Sequence, residues 1–531
     1  MDRDPAPRQR RSSVPSTGQG PTAFPGILFP GGPVPEEREA REPEFFADLD
    51  LDRIVAAITA GKEEYDLTGF FHMPLGDVDD VAFRQEIMRD LEHARLIDEL
   101  GAFAETIRAV RAHLARAGQV THRAEKQRWF VDAAMLYGDG VVRLVEDLKR
   151  AAVVSRGLSA FRDHAAGYVA SDRFRSLIAE AKRVKAGLGA VRYRLGIFPL
   201  RVEVEPFDVG RDYGAEIDAL FARFRQGGVE PYAFAATDAD ALSKVDAMIL
   251  DRVAEMNPEA FARLAAFHAE HEDFLDPAIL AFDREIQFYI ACREYVERFR
   301  HAGLRFCYPS ISRDRKESQS RGGFDLALAE MLLAEHRAVV CNDFDLADTE
   351  RILVVTGPNQ GGKTSFARAF GQIHYLASLG CPVPGEEARL PLCDRVFTHF
   401  EREEDVADLS GRLKDDLTRI HAILDRATPQ SLVVINEIFS STTLRDATAL
   451  SRKIAGHLIE HDLLCVWVTF IDELAGLGEQ TVSMVAGPNR DQSTERAYQV
   501  VRRPADGLAY ALSVAEKHRL SRDAIEQRLK S

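Results

Sequence analysis

The stretch RILVVTGPNQGGKTSFARAF, Arg351 to Phe370, carries the residues best suited to chemistry. An apolar run leads into a glycine-rich turn, and a helix-forming segment follows. Gly357, four residues, and then Gly362-Lys363-Thr364 satisfy the pattern G-x-x-x-x-G-K-[ST]. Such glycines let the backbone pass close around phosphate oxygens with its N–H groups turned inward. The phosphate-cradling candidates are Gly357, Pro358, Asn359, Gln360, Gly361, Gly362, Lys363, Thr364 and Ser365. The helix from Ser365 onward would add the positive end of its dipole. Lys363 would reach the β- and γ-phosphates, and Thr364 would ligate Mg²⁺. A ligand-free glycine turn can carry the same letters, but a strand directly before and a helix directly after favour a nucleoside triphosphate.

The run SLVVINEIFSSTT is a second apolar strand, ending in Asn436-Glu437. In most ATPases of this kind such a strand ends in Asp-Glu. The Asp holds Mg²⁺ through water, and the Glu polarises the attacking water. Here the first carboxylate is an amide, and Glu437 is the carboxylate at the strand end. The catalytic candidates are Glu437, Lys363 and Asn436. The Mg²⁺ candidates are Thr364 and Asn436, and the implied cofactors are ATP and Mg²⁺.

These residues need a sheet to position them. After CYPSISRDRKESQSRGG, short β-rich runs (ILVVT, LVVI, LLCVWVT) alternate with helical segments. That alternation predicts a mostly parallel sheet with helices on its faces, an α/β P-loop NTPase domain from about 322 to 531. Residues 43–306 are mainly helical. DVAFRQEIMRDLEHARLIDELGAFAETIRAVRAHLARA places apolar residues three and four apart over many turns. DPAILAFDREIQFYIACREYVERFR opens with Asp276 as N-cap and Pro277 at the first helical position. VRYRLGIFPLRVEVEPF alternates, turns and alternates again, which predicts a β-hairpin. Residues 1–42, rich in Pro, Gly, Ser and Arg, read as a disordered tail. Residues 307–321, with Arg313, Arg315 and Lys316, read as a polar, solvent-exposed linker reaching Arg321.

At 531 residues the chain is long enough for two to four domains. A net charge of -16 means that any nucleic-acid surface has to be a local basic patch. The six cysteines form no C-x-x-C pair, which argues against zinc and fits reduced thiols in a cytoplasmic protein. The apolar run LLCVWVTFI is too short to span a bilayer.

VVTGPNQGGKTSFARAFGQIHYLASLGCPVPGEEARLPLCDRVFTHF resembles the ATPase domain of the MutS family of mismatch-repair proteins. Pro358-Asn359, LGCPVPGEEA and DRVFTHF carry the likeness. NEIFSSTTLRDATAL, with Thr442 and Asp446, resembles the same family's Walker B strand and following loop, and GLAYALSVAEKHRLSRDAIEQRL its C-terminal segment. The likeness is strong over 322–531 and weaker over 44–306, where it rests on helix lengths and EFFADLDLD. It implies an ABC/MutS-type ATPase domain with a C-terminal helical dimerisation segment, a helical core and lever region, a homodimer that sandwiches its nucleotides, and DNA as partner, with a repair protein as a further one.

The sequence departs from that family at several positions. Asn436 stands for its Asp. Phe470, in CVWVTFIDEL, stands where a His approaches the γ-phosphate. Leu413 and Lys414 replace Ser-Thr in DLSGRLKDDLTRI, where Ser410 could contact a partner's nucleotide instead. Val339 stands where an aromatic often stacks on adenine. Mismatch-reading members carry an N-terminal domain with a Phe-x-Glu wedge, and neither that domain nor the connector has room before Glu44. Phe103-Ala104-Glu105 fits the letters but lies in a helical run and reads as core. His122, Arg123, Lys149, Arg150 and Arg156 could meet phosphates on a lever or form a solvated helix face. His336, His399 and His457 have no ligand spacing. The leading expectation is an ATPase whose ATP-driven dimer closure moves helical arms around DNA in repair or recombination, without direct mismatch reading. The competing one is a nucleotide-gated protein scaffold with weak hydrolysis and no DNA binding.

Overall fold

The computed structural model describes residues 24–30, 41–199, 201–207, 244–358, 361–401, 409–487, 498–505 and 525. The first half is helical: α1 (Leu51–Thr59), α2 (Thr68–Phe71), α3 (Val78–Asp90), α4 (Ala94–Gln119), α5 (Arg123–Arg150), α6 (Arg156–Ala170) and α7 (Asp172–Gly189). The hairpin β1 (Tyr193–Phe198) and β2 (Arg201–Pro206) follows in antiparallel register, as its alternation predicts. Then come α8 (Lys244–Met256), α9 (Pro258–Glu270) and α10 (Pro277–His301). Asp276 caps α10 by accepting from the N–H groups of Ala278 and Ile279, and Pro277 occupies its first turn. Phe103, on α4, is buried beside Phe282 and belongs to the core, while Glu105 is exposed and pairs with Arg108.

The remaining strands are β3 (Phe306–Cys307), β4 (Ser310–Ser312), β5 (Ser318–Gly323), β6 (Asn342–Leu346), β7 (Ile352–Thr356), β8 (Val383–Pro384), β9 (Glu387–Pro391), β10 (Val396–Phe400), β11 (Leu432–Asn436), β12 (Leu464–Val468), β13 (Thr481–Ala486) and β14 (Val500–Arg502). The helices among them are α11 (Leu326–Ala334), α12 (Lys363–Ser378), α13 (Leu409–Arg426) and α14 (Leu444–Glu460). The main sheet has the order β10-β11-β12-β7-β13-β14 and is parallel except for β14. Strands β7, β11 and β12 are apolar and almost wholly buried, as parallel strands covered on both faces must be. One face packs with α12 into a core that runs on into the helical half. The other buries Val433, Ile435 and Trp467 with Ile420 and Ile423 of α13 and Ile454 and Leu458 of α14.

Two expectations are corrected. Residues 307–321 are not an exposed linker: they hold β4 and the start of β5, which pairs with β6 and β9. Arg313 lies near Asp77, Lys316 pairs with Asp462, and Arg321 pairs with Asp343. The buried positions of β5 are Ser318, Ser320 and Gly323, small residues that leave no hydrophobic period to read. Nor is the whole of 1–42 a tail. Ile27 and Leu28 are fully buried, and Glu285 of α10 accepts both of their N–H groups. Tyr289 Oη donates to Ile27 O, and Arg84 Nε donates to Leu28 O at 2.9 Å. Four residues of apolar or turn character (GILF) among prolines were too short a signal against the composition around them.

The segment 44–50 is stitched to α12 and β10. Gln372 Nε2 donates to Leu49 O, Arg368 Nε donates to Asp48 O, and Thr398 Oγ1 donates to Asp48 Oδ2. Within the helical half, Asp283 on α10 is wholly buried and pairs with Arg111 on α4, while its Oδ1 has no hydrogen-bond partner. Burial pushes its carboxyl up to about 6 despite the guanidinium. Its unfolded value is near 4, so the folded chain binds the extra proton between these limits. Stability should therefore fall as pH rises from about 4 to about 6. Asp283→Asn should remove that dependence and be the more stable form at pH 7, by about 1–3 kcal/mol. Unfolding midpoints of both proteins between pH 4.5 and 7.5 check this, and a gap that does not change with pH would refute it.

Candidate nucleotide site

The glycine turn leaves β7 at the centre of the sheet and enters α12. Its geometry requires glycine at two points. Gly357 has φ +125°, and a Cβ there would meet Ala486 O at 2.5 Å. Gly362, the N-cap of α12, has φ +89°, and a Cβ would stand 3.0 Å from Tyr498 O. Both conformations disfavour any residue with a side chain. The helix starts at Lys363, two residues earlier than the sequence suggests. Asn359 and Gln360 lie outside the described residues, as do most of 506–531 and the side chain of Ser410.

Lys363 is 5% exposed. Its Nζ donates to Gly357 O at 2.9 Å and Pro358 O at 3.3 Å, and lies 3.4 Å from Glu437 Oε1. Thr364 Oγ1 donates to Asn436 Oδ1 at 3.2 Å. The fold thus brings together the four residues singled out by type, from two segments far apart along the chain. Parallel pairing does this: β7 and β11 both abut β12, so their C-terminal ends fall at the same edge. Ligands of open α/β sheets bind at that edge. Thr364 and Asn436 present two neighbouring neutral oxygens, a donor set suited to a hard cation such as Mg²⁺ that arrives with phosphates of its own. Glu437 follows β11 with φ +54°, and Phe439 has φ +64°, so the chain after the strand is a strained, specifically shaped turn.

A cleft of about 500 Å³ opens from this point. Gly362, Lys363, Thr364, Ser365 and Glu437 form one end; Phe324, Leu328, Met331, Leu332, Val339 and Tyr498 form an apolar wall. A polar end carrying an ammonium and an apolar wall, in a cleft of that size, suit a nucleotide. Sequence reading reached Val339 but missed Met331, Leu332 and Tyr498, because no local pattern ties α11 or the approach to β14 to the loop. Phe470 follows β12 and is half exposed. A second cleft, about 570 Å³, lies against Arg419, Arg426 and Phe397 and includes no residue of the glycine turn. On the helical arms, His122 pairs with Asp251, Arg150 with Glu99 and Asp147, and Arg156 with Asp79 and Glu86. No helix among the described residues is long and apolar enough to cross a membrane.

Residues 353–530 match the family model of MutS domain V. The chain is 31% identical over 146 residues to the DNA mismatch repair protein Msh3 of Mus musculus, a match covering 28% of this chain and 13% of Msh3. It is 29% identical over 230 residues to the DNA mismatch repair protein MutS of Chloroflexus aurantiacus, covering 43% of this chain and 23% of that protein. Both matches therefore span well under half of the relatives' length.

Proposed function

We propose that the chain, which is similar to MutS-family proteins over its C-terminal part, is an ATP-binding, slowly hydrolysing ATPase whose ATP-driven dimer closure is coupled to DNA. The observation that carries this is the meeting of Lys363, Thr364 and Glu437 in the lining of one cleft, with Asn436 bonded to Thr364. In this reading the turn and Lys363 hold the phosphates, the apolar wall takes the base, and Glu437 accepts a hydrogen bond from the attacking water. Mg²⁺, held by Thr364 and by Asn436 through water, would neutralise phosphate charge. The nucleotide unit begins at β3 rather than at 322, and its C-terminal end supplies dimer contacts. The setting is cytoplasmic. Direct mismatch reading is no part of the proposal, since Phe103 is buried.

A second reading, a nucleotide-gated protein scaffold, is favoured by the paired state of His122, Arg150 and Arg156 and by the net charge of -16. Titration of duplex, mismatched, branched and single-stranded DNA against salt, with and without ATP, separates the two. Phosphate contacts give a log–log slope of about -0.9 per contact on duplex. We expect such a slope and no mismatch preference. A mismatch preference of about tenfold or more, worth about 1.4 kcal/mol, would contradict the second expectation. No binding even at low salt would leave the scaffold.

A further inference from the structure

We propose that His399 and Asp416 are positioning residues that hold the turn carrying Glu437 to helix α13, so that the placement of this carboxylate depends on that helix. The proposal rests on the ATPase reading and deepens it.

His399 lies on β10, the edge strand of the main sheet, and is fully buried. It stands in register with Ile435, one residue before Asn436. Its Nε2 is 3.2 Å from Asp416 Oδ1, close enough for an ion pair but not aligned as a hydrogen bond, and neither ring nitrogen has a hydrogen-bond partner. Burying an imidazole in this state is unfavourable, so the position is not explained by packing alone. Asp416, on α13, extends its other oxygen, Oδ2, to the N–H of Phe439 at 3.4 Å.

Phe439 is the strained residue two positions after Glu437, itself strained. Such φ values in non-glycine residues persist only where the surroundings over-determine them. Three contacts do so here. The Glu437 N–H donates to Val468 O of β12 at 3.0 Å, Ser440 Oγ donates to Glu401 Oε1 just beyond β10 at 2.9 Å, and the Phe439 N–H donates to Asp416. The first two tie the turn to the sheet; the third ties it to α13, with His399 standing behind the carboxylate. The glycine turn and Lys363 are anchored through β7 and the start of α12, and they meet the turn after β11 where Lys363 Nζ lies 3.4 Å from Glu437 Oε1. Losing the third tie should therefore relax the turn and shift Glu437, while the backbone of the phosphate cradle stays in place.

The test measures ATP affinity and single-turnover hydrolysis separately in the full chain. A small misplacement of a catalytic group can lower a rate by about a hundredfold, so Asp416→Ala should slow hydrolysis by about ten- to a hundredfold. ATP affinity should hold steady or rise, because Glu437 competes with phosphate for Lys363, and retained binding also reports an intact fold. Asp416→Asn keeps an oxygen able to accept the Phe439 N–H, and should stay within about threefold of the starting rate. His399→Phe should slow hydrolysis in the same direction as Asp416→Ala, again with ATP bound. The proposal is overturned if Asp416→Ala hydrolyses at the starting rate, if it loses ATP affinity in proportion, or if Asp416→Asn is as slow as Asp416→Ala. ATP binding without any hydrolysis in the unsubstituted protein would instead overturn the ATPase reading and this proposal with it.

Discussion

Glu437→Gln should leave ATP bound and slow its hydrolysis by about 10²- to 10⁴-fold, the contribution typical of a positioned general base. The amide of this variant would still hydrogen-bond but could not draw a proton from water. The structure adds a second expectation. Glu437 Oε1 stands 3.4 Å from Lys363 Nζ, so the carboxylate competes with phosphate for the ammonium. Removing its charge should hold ATP affinity steady or raise it, which separates a catalytic loss from a loss of binding. Asn436→Asp should act in the opposite direction on the rate. Asn436 accepts from Thr364 but brings no negative charge to a Mg²⁺ beside it. Phe470 cannot donate a hydrogen bond to the γ-phosphate as an imidazole would. Each missing polar contribution costs about 2–4 kcal/mol in a dry site, so the starting rate should be slow and the Asp variant faster. Single-turnover assays with labelled ATP measure both variants. Glu437→Gln at the starting rate would mean that water is activated elsewhere.

Lys363→Ala should abolish measurable ATP binding. The side chain is nearly buried at the start of α12, with its ammonium held by Gly357 O and Pro358 O. Those contacts aim it along the turn where phosphates would sit. Charge-assisted hydrogen bonds are worth about 1.5–3 kcal/mol each. Two lost from the phosphates would weaken binding by about a hundredfold or more, at about 1.4 kcal/mol per tenfold. The same substitution leaves Glu437 without its cation, which adds repulsion toward the nucleotide. Calorimetric titration gives the comparison, and unchanged affinity would show that this turn is not the site.

How much of this was legible beforehand differs by element, for physical reasons. The loop and its flanks were readable because backbone geometry dictates them locally. Gly357 and Gly362 occupy conformations that disfavour side chains, and ILVVT, short, apolar and followed by a glycine turn, forms a strand buried on both faces. The parallel sheet, the long helices and the hairpin follow from periodicities that survive in any short window. Phe103 in the core was readable from its spacing to Ile107. Other features have no local signature. Ile27 and Leu28 look like part of a tail until Glu285, more than 250 positions away, offers them a buried carboxylate. Ser318 and Ser320 read as linker because small polar residues in a strand leave no hydrophobic alternation. Met331 and Tyr498 join one cleft only after β6 and β14 come together. The sequence by itself determined the glycine turn between a buried strand and a helix, and that Glu437 follows the end of a second strand. Only the tertiary structure decided that Lys363 is shared with Glu437 and that Asp416 reaches the turn after it. Such contacts arise where strand ends and helix faces meet, and no spacing along the chain encodes that distance.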